Sequence, residues 1–553
     1  MKNILNRLNT HFVKYILLVI LIFAAVLRLW NLGNVPPGLT PDEASLGYNA
    51  YSILKTGNDE YGNRFPLIFK SFGDYKPGLY IYLAVPSVAI LGLNEFAVRL
   101  PSAIFGVLIV LFVYLIVKKL FAGSNLLALT ASFVASCNPY LIYFSRGAWE
   151  ANVSLALTLV GVYLFLIAIE KKKYLLPSTV FFALTLITYQ GAKLSTLIVV
   201  SLLVIIYWKE FWSIKKECLI IGIIGGLIVS IPAIASLFNG HTQRLAIFSI
   251  FSYPRPQSEI QLFTGPLFNL YNSNQLNYLR MILSRLFNFF SGSFMFFYGD
   301  IANPVHTAPY QGILLITDIF WLLLGFYYIF RNKFSNSYAF VILLLILSPL
   351  SAAISRDQTN AVRCLNSAFP LIIIIALGVY QSVLIISKLS AKLIRIAGYL
   401  VIFVVYFLSF TYFADSYFVH LPKHNSSFWR YGYKQAVSLI TPLQSEYKTI
   451  VFEQSFNQPY IYFLFYQKYD PAKWQKESNL VDSEYKGDVG YQERVGNVAF
   501  KKIDWQALKN IPGTLVVTSP SVLPPDYLNN AALISQIKYL DNHNVAFDII
   551  KIK

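Results

Sequence analysis

The chain has 553 residues, of which 56% are hydrophobic and only 13% are charged, about half the charged fraction of a soluble domain. This composition excludes a soluble globular protein and indicates a polytopic membrane protein, because many apolar runs approach the roughly 20 residues that span a bilayer. The net charge of +18 comes from basic residues at the ends of these runs. It therefore indicates membrane orientation and contact with membrane lipid, and it excludes nucleic acid as the expected partner.

Hydropathy and loop charge predict about eleven transmembrane segments. Basic clusters such as Lys118-Lys119 and Lys171-Lys172-Lys173 fall on the same side as the basic N-terminus, which defines the cytoplasm. An odd number of spans then places the C-terminal part outside the cytoplasm. The expected location is the cell (plasma) membrane, which the chain would cross many times. The predicted spans are residues 12–30, 98–117, 124–144, 150–169, 174–190, 193–208, 217–236, 310–331, 338–355, 364–385 and 391–413.

Two long outer loops are predicted, at residues 31–97 and 237–309. The apolar stretch Leu79–Leu93 lies in the first of them and is interpreted as an interfacial helix. If this stretch crossed the membrane, Lys118-Lys119 would lie outside, against the orientation rule.

The predicted domains are a transmembrane domain over residues 1–413 and a small extracytoplasmic α/β domain over residues 414–553. The long apolar runs end at this boundary, and shorter runs rich in β-branched residues follow. The tail is predicted to contain strands at Thr449–Phe452, Thr514–Val517 and Val545–Ile552 and a helix at Pro524–Tyr539.

The first outer loop begins with a helix-start signature, Thr40-Pro41-Asp42-Glu43. Thr40 can cap the helix with Pro41 as its first residue, and Glu43 completes a capping box. The helix is expected to end before Gly57. Because the cap uses Glu43, Asp42 remains as a carboxylate for chemistry, although an acid at a helix start is also explained by helix electrostatics alone.

Further along this loop, Asp74-Tyr75-Lys76-Pro77-Gly78 precedes the predicted interfacial helix. Pro77 is expected at the first helical position. Lys76 would then lie at a positive helix start, where an ammonium group and backbone N–H groups can hold an anion together. The alternative is an interfacial lysine whose stem is buried while its charge reaches water.

Polar residues also concentrate in other outer segments. Arg146 and Glu150 flank a tight link between two spans, where a simple ion pair is the alternative to a functional role. Arg363, with Asn360 nearby, places positive charge on the outer side and hints at an anionic ligand. Asp300 and His306 could hold a metal, but two ligands are a weak signal. Asp318 falls inside a predicted span and is a functional-site hypothesis by default.

Carboxylates and cations at an outer membrane surface suit a lipid-linked phosphate that carries a polar head group. Cations can hold the phosphate, and a carboxylate can act as a general base on an incoming hydroxyl. No glycine-rich nucleotide motif lies near a predicted strand, which disfavours a soluble nucleotide-sugar donor. No cofactor is predicted with certainty; a divalent metal is possible but not indicated, and no metal-site residue is assigned.

Several motifs, in this order along the chain, resemble the GT-C membrane glycosyltransferases, and especially the bacterial family-39 group. That group includes protein O-mannosyltransferases and lipid A aminoarabinose transferases. The similarity covers roughly residues 10–415, and it rests on the ordered set, since no single motif is specific. The motifs are Thr40-Pro41-Asp42-Glu43-Ala44, Tyr75-Lys76-Pro77-Gly78, Val98-Arg99-Leu100-Pro101-Ser102, Asn138-Pro139, Arg146-Gly147-Ala148-Trp149-Glu150 and Asn360-Ala361-Val362-Arg363.

The resemblance implies a GT-C fold and an inverting transfer of a hexose or pentose, outside the cytoplasm, from a polyprenyl-phosphate donor to an acceptor hydroxyl. It implies that Asp42 is the catalytic base, with Glu43 as the rival, and that Lys76 contacts the phosphate. The remaining predicted substrate-binding residues are Tyr75, Arg146, Glu150, Asp300, His306, Asn360 and Arg363.

The middle outer loop lacks the long β-trefoil insertion of eukaryotic mannosyltransferases, which weakens the expectation of a protein acceptor. The acceptor stays open between protein, lipid and glycan. Three alternatives remain beside the transferase. A ligase would move whole polyprenyl-linked glycans, a flippase-type transporter would move them without group transfer, and a membrane scaffold would act through its tail.

Overall fold

The computed structural model describes residues 10–238, 249–254, 265–333, 335–455, 457–481 and 489–553. The predicted outer loop 237–309 therefore lies partly outside the described residues. The described chain is mostly helical, and it also contains a six-stranded sheet in its C-terminal part and two small two-stranded sheets.

The α-helices of the described residues are, in chain order, α1 Thr10–Leu29, α2 Pro41–Thr56, α3 Leu79–Leu91, α4 Glu95–Leu120, α5 Asn125–Cys137, α6 Pro139–Ser145, α7 Glu150–Ala168, α8 Leu175–Leu186, α9 Ala192–Ile206, α10 Trp208–Trp212, α11 Lys216–Phe238, α12 Pro266–Tyr271, α13 Asn274–Phe289, α14 Asp318–Arg331, α15 Asn336–Leu347, α16 Leu350–Ala353, α17 Ala368–Ser387, α18 Lys392–Asp415, α19 Leu421–His424, α20 Tyr433–Leu443, α21 Pro459–Tyr466, α22 Pro471–Glu477 and α23 Trp505–Leu508. The strands are β1 Ile68–Ser71, β2 Asp74–Pro77, β3 Ile450–Glu453, β4 Leu480–Val481, β5 Tyr491–Gln492, β6 Arg494–Val495, β7 Val498–Lys501, β8 Leu515–Thr518, β9 Ala531–Lys538 and β10 Val545–Ile552.

Among the described residues, seven helical segments are long and apolar enough to cross a membrane. An eighth crossing is possible if α5 and α6, which bend by 56° at Asn138, count as one span. The other three of the eleven predicted spans are shorter helices, α8, α9 and α14. The chain is a multi-span membrane protein, and α3, with 13 residues, is shorter than a usual span, as expected for an interfacial helix.

The residues of the described chain cluster into two compact units. The first comprises residues 1–30, 102–145 and 149–416, and the second comprises residues 31–101, 146–148 and 417–553. The second unit therefore combines the first outer loop with the C-terminal segment. The predicted division at residue 413 into two domains stays a prediction.

Helix packing in the first unit depends on small residues. Helices α14 and α17 approach closely at Gly325 and Gly378. A Cβ atom on Gly325 would collide with the carbonyl oxygen of Ile374, and one on Gly378 would collide with that of Trp321. Close backbone approach of this kind is typical of helices that pack within a membrane.

In the second unit, the tail folds into a six-stranded sheet of order β6-β7-β3-β8-β10-β9. Strand β3 is parallel to β7 and β8, and the remaining pairs are antiparallel. One side of the sheet buries an apolar cluster that includes Val451, Val516 and Ile550. The predicted strands at Thr449–Phe452, Thr514–Val517 and Val545–Ile552 correspond to β3, β8 and β10 within one residue.

The predicted helix Pro524–Tyr539 is wrong. A single turn of 3-10 helix at Tyr527–Asn529 is followed by strand β9, which pairs with β10 along its length. Ala531, Ala532 and Leu533 favour a helix by intrinsic propensity, but the tertiary pairing with β10 decides the outcome.

Candidate active site

Helix α2 begins as its sequence predicts. The Thr40 hydroxyl accepts a hydrogen bond from the backbone N–H of Glu43 at 3.2 Å, and the Glu43 carboxylate accepts one from the Thr40 N–H at 3.0 Å. Gly57 ends the helix with a φ of 73°, a left-handed conformation that favours glycine. The capping box fixes the position of Asp42 one residue inside the helix.

Lys76 lies in a hairpin and not at a helix start, so the prediction that Pro77 opens the interfacial helix is wrong. Pro77 is the last residue of β2, and α3 begins at Leu79. The hairpin turns at Phe72 and Gly73, both with positive φ, which is the geometry that joins two strands through two residues. Lys76 and Tyr75 are therefore placed by strand register, with Lys76 opposite Phe69 and Tyr75 opposite Lys70.

The Lys76 ammonium forms an ion pair with the Asp42 carboxylate. The Lys76 side chain is 10% exposed and that of Asp42 is 58% exposed. The ammonium also lies 5.3 Å from the centre of the Phe72 ring, a favourable cation–π distance. The structure thus brings the predicted base and the predicted phosphate-binding lysine into direct contact.

Glu43, the rival base, is buried inside a network of hydrogen bonds. Its carboxylate accepts from Arg99 Nε at 2.9 Å and from the backbone N–H of Ala148 at 2.9 Å, in addition to the cap. Arg99 in turn donates to the backbone carbonyls of Leu32, Pro36 and Gly38. This geometry is typical of a structural ion pair, because nearly every lone pair is occupied.

Arg146 is fully buried in the second unit. One of its nitrogens donates to the carbonyl of Val35 at 3.0 Å, and its guanidinium lies 4.8 Å from the centre of the Phe418 ring. Burial lowers the pKa of Arg146 from its usual value. These contacts hold the loop that precedes α2.

The C-terminal segment contacts α2 and the residue before its cap, which no sequence pattern predicts. The hydroxyl of Tyr462 donates to the carbonyl of Leu39 at 3.0 Å, just before the cap. The Gln475 amide donates to Ser52 at 3.1 Å and to Thr56 at 3.0 Å. No local motif announces these contacts, since they join residues separated by about 400 positions along the chain.

The first unit holds a second polar group, centred on Asp300. Its buried carboxylate accepts hydrogen bonds from His306 Nδ1 at 2.9 Å, the Thr359 hydroxyl at 2.9 Å and the backbone N–H of Ala361 at 2.9 Å. The His306 ring packs against Trp149, with the ring centres 5.4 Å apart. Asp300 therefore joins the 300–306 segment to the 359–361 segment.

Asn360 and Arg363 belong to the same part of the first unit. Both contact Asp357: the Asn360 amide at 2.9 Å and the Arg363 guanidinium at 3.1 Å. Glu150 is the first residue of α7. Within the first unit, Asp300 and His306 contact the segment that carries Asn360 and Arg363. Within the second unit, Asp42 pairs with Lys76, and Glu43 pairs with Arg99.

Asp318 is the first residue of α14, so the predicted span 310–331 is an α-helix only from Asp318 onward. The carboxylate accepts the backbone N–H of Leu315 at 3.0 Å, which is a helix-start contact. Within the described residues, no group of three or more His, Cys, Asp or Glu side chains is arranged to hold a metal ion.

Comparison with known proteins shows what this chain is similar to. A family model described as dolichyl-phosphate-mannose-protein mannosyltransferase matches residues 75–235. Apo ArnT from Cupriavidus metallidurans superposes with a TM-score of 0.54 over 97% of both chains, at 11% identity. The oligosaccharyltransferase of Archaeoglobus fulgidus in its apo form reaches 0.51 over 83% of this chain and 64% of its own, at 12% identity. No curated protein matches the sequence.

The fold is that of the GT-C polytopic membrane proteins, so the predicted fold class is confirmed. The predicted resemblance to the group of mannosyltransferases and aminoarabinose transferases is also confirmed, because the family model and the ArnT structure both fall within it. The family match likewise agrees with the predicted enzyme class, a glycosyltransferase.

Proposed function

We propose that this protein is an integral-membrane glycosyltransferase that moves a sugar from a polyprenyl-phosphate donor to an acceptor hydroxyl on the extracytoplasmic face. The observation that carries the proposal is the ion pair between Asp42 and Lys76, which joins an exposed carboxylate to a largely buried ammonium. One solved ArnT structure is bound to undecaprenyl phosphate, and one Archaeoglobus fulgidus structure contains dolichol-phosphate, which supports a lipid-linked donor.

In the proposed reaction, Asp42 takes the proton of the acceptor hydroxyl. The acceptor oxygen attacks the anomeric carbon as the bond to the phosphate oxygen breaks, so the anomeric configuration inverts. Lys76 balances the negative charge that grows on the leaving polyprenyl phosphate. Asp42 has the better geometry for the base, because Glu43 is buried and fully engaged with Arg99 and the helix cap.

The ion pair also suggests how the donor prepares the base. A phosphate that binds Lys76 competes with Asp42 for the same ammonium. Donor binding would then weaken the ion pair that Lys76 makes with the Asp42 carboxylate. The predicted contacts of Tyr75, Glu150, Asp300, His306, Asn360 and Arg363 with sugar or acceptor stay predictions, as does the location in the plasma membrane.

The test is transfer by the full chain in lipid nanodiscs, with undecaprenyl-phosphate sugars as donors and a membrane-lipid extract as acceptor, followed by mass spectrometry. Asp42→Asn should lower the transfer rate by about 10² to 10⁴-fold, the usual contribution of a general base. Asp74→Asn, which changes another carboxylate of the same loop, is the matched control.

Near-normal transfer by Asp42→Asn would remove the base assignment. A wild-type protein that moves intact lipid-linked glycans across the bilayer without group transfer would favour the flippase alternative. Transfer of whole glycans and not of single sugars would favour the ligase.

A further inference from the structure

The first outer loop contains a buried carboxyl group, Glu60, that the proposed reaction does not use. Glu60 is fully buried. One of its oxygens, Oε1, accepts a hydrogen bond from the Asn49 amide at 3.0 Å, and its backbone N–H donates to Asn49 Oδ1 at 3.0 Å. Its other oxygen, Oε2, is buried and has no hydrogen-bond partner within the described residues.

Glu60 is linked to the hairpin that carries Lys76. The Asn49 amide also donates to the backbone carbonyl of Ser45 at 3.0 Å. The Ser45 hydroxyl lies 3.1 Å from that of Ser71, at the end of β1. Asp42, Ser45 and Asn49 are three and four residues apart, so they share one face of α2. The same face thus carries Asp42 at its start and contacts Glu60 seven residues later.

Within the described residues, no cation is dedicated to Glu60. The cation that acts on it is Lys76, which already pairs with Asp42, and Asp59 adds a second negative charge. The hydroxyls of Tyr48, Tyr61 and Tyr460 face it from α2, from the loop and from α21. Burial, with a smaller contribution from Asp59, raises the pKa of Glu60 to about 8, against the opposing effects of Asn49 and Lys76.

An ionised carboxylate in this place would be a buried charge whose direct hydrogen-bond partner, the Asn49 amide, is neutral, which is costly. A neutral carboxyl group avoids that cost, because its second oxygen carries a proton. If Glu60 ionises, its new negative charge also competes with Asp42 for the ammonium of Lys76.

We propose that Glu60 is a positioning residue: in its neutral form it holds the polar face of α2 and the Lys76 hairpin in register, and its ionisation misplaces Lys76. This inference rests on the proposed function of Lys76. Glu60 acts through Asn49 and the hairpin and does not touch substrate.

The first experiment measures transfer against pH for the wild type and for Glu60→Gln, a neutral side chain of the same shape. Wild-type kcat/KM for the donor should fall as pH rises through about 8, because the neutral fraction of Glu60 falls. At about pH 9, kcat/KM should be about tenfold lower than its value at low pH. Glu60→Gln should be active at pH 7 and lack this fall. Glu446→Gln, an exposed change in the C-terminal segment, is the matched control and should keep the wild-type profile.

The second experiment does not depend on activity. Since the folded pKa of Glu60 is raised, the folded state binds a proton that the unfolded state releases, so stability falls as pH rises from about 4.5 to about 8. The unfolding temperature of Glu60→Gln minus that of the wild type should therefore increase as pH rises across this window and then level off. Glu60→Met, which is also neutral, repeats both measurements if Glu60→Gln does not fold.

Identical pH–rate profiles for the wild type and Glu60→Gln would overturn the proposal, as would a folded Glu60→Gln that is inactive at pH 7. A constant difference in unfolding temperature from pH 5 to pH 8 would also overturn it. If the wild type transfers no sugar from any donor, the proposed function fails, while the unfolding curves still report whether Glu60 is neutral in the fold.

Discussion

The Asp42 group of the second unit and the Asp300 group of the first unit use carboxylates in opposite ways. Asp42 lies at the start of a capped helix with a side chain that is 58% exposed and paired with a cation. Asp300 is fully buried, and its oxygens accept hydrogen bonds from three donors: His306, Thr359 and the N–H of Ala361. An exposed carboxylate can accept a proton from a substrate, whereas a saturated one holds the chain together.

Glu43 belongs with Asp300 in this comparison, although it is the immediate neighbour of Asp42 in sequence. Its contacts with Arg99, Ala148 and Thr40 join three separate parts of the second unit. Adjacent acids in one motif therefore have different environments, and burial decides which of them is available for chemistry.

The largest effect on stability is expected from Glu43→Gln. This change keeps the shape but leaves the buried Arg99 guanidinium without its counter-charge, which should cost about 3 kcal/mol or more. Asp42→Asn, one residue away, should cost no more than about 1 kcal/mol, the usual upper value for an ion pair with a solvent-exposed member. The thermal unfolding of the two purified variants, followed by intrinsic fluorescence, makes the comparison. If Glu43→Gln is as stable as the wild type but inactive, Glu43 is the base, and the assignment of a structural role to Glu43 is wrong.

Asp300→Ala should also destabilise the protein, by about 2 to 3 kcal/mol, because several buried donors lose their acceptor. His306→Gln removes one of these donors and should cost less. Limited proteolysis of the 357–363 segment and the unfolding temperature report the effect. An Asp300→Ala variant that folds normally, resists proteolysis and yet transfers no sugar would place Asp300 with Asp42 and not with Glu43.

The sequence predicts the local parts of the site well. Thr40, Pro41, Glu43 and Gly57 define α2, because capping depends on residues within one helical turn. The strands β3, β8 and β10 also follow from their composition. The sequence identifies Lys76 as a functional candidate. It does not predict the hairpin that carries Lys76, because the turn at Phe72-Gly73 lacks the usual Asn-Gly or Asp-Gly pair.

The contacts over long sequence separations could not be predicted from these patterns. The bonds of Tyr462 to Leu39 and of Gln475 to Ser52 depend on how the tail folds back on the first outer loop. Burial of Glu60 depends on the same arrangement, and nothing local distinguishes it from an exposed acid. The prediction of a helix at Pro524–Tyr539 failed for a related reason, since β9 exists because β10 pairs with it.

A smaller effect is expected from Lys76→Met, which keeps an unbranched apolar stem and removes the charge. Because the ammonium is proposed to hold the donor phosphate, the donor KM should rise by about tenfold or more, while the acceptor KM changes little. Lys70→Met, on the same hairpin, is the matched control. Equal losses for donor and acceptor would indicate that Lys76 serves only to position Asp42.

The smallest effect is expected from Tyr462→Phe, which tests whether the tail positions the exposed carboxylate. The lost hydrogen bond to Leu39 should cost about 1 kcal/mol of stability and lower kcat modestly, since Leu39 directly precedes the helix cap. Tyr527→Phe removes a comparable bond, to Asp548 at 3.1 Å, at a site that does not contact α2. Both variants should lose stability, but only Tyr462→Phe should lose kcat. If kcat is unchanged in both, the tail stabilises the first outer loop without influencing the chemistry at Asp42.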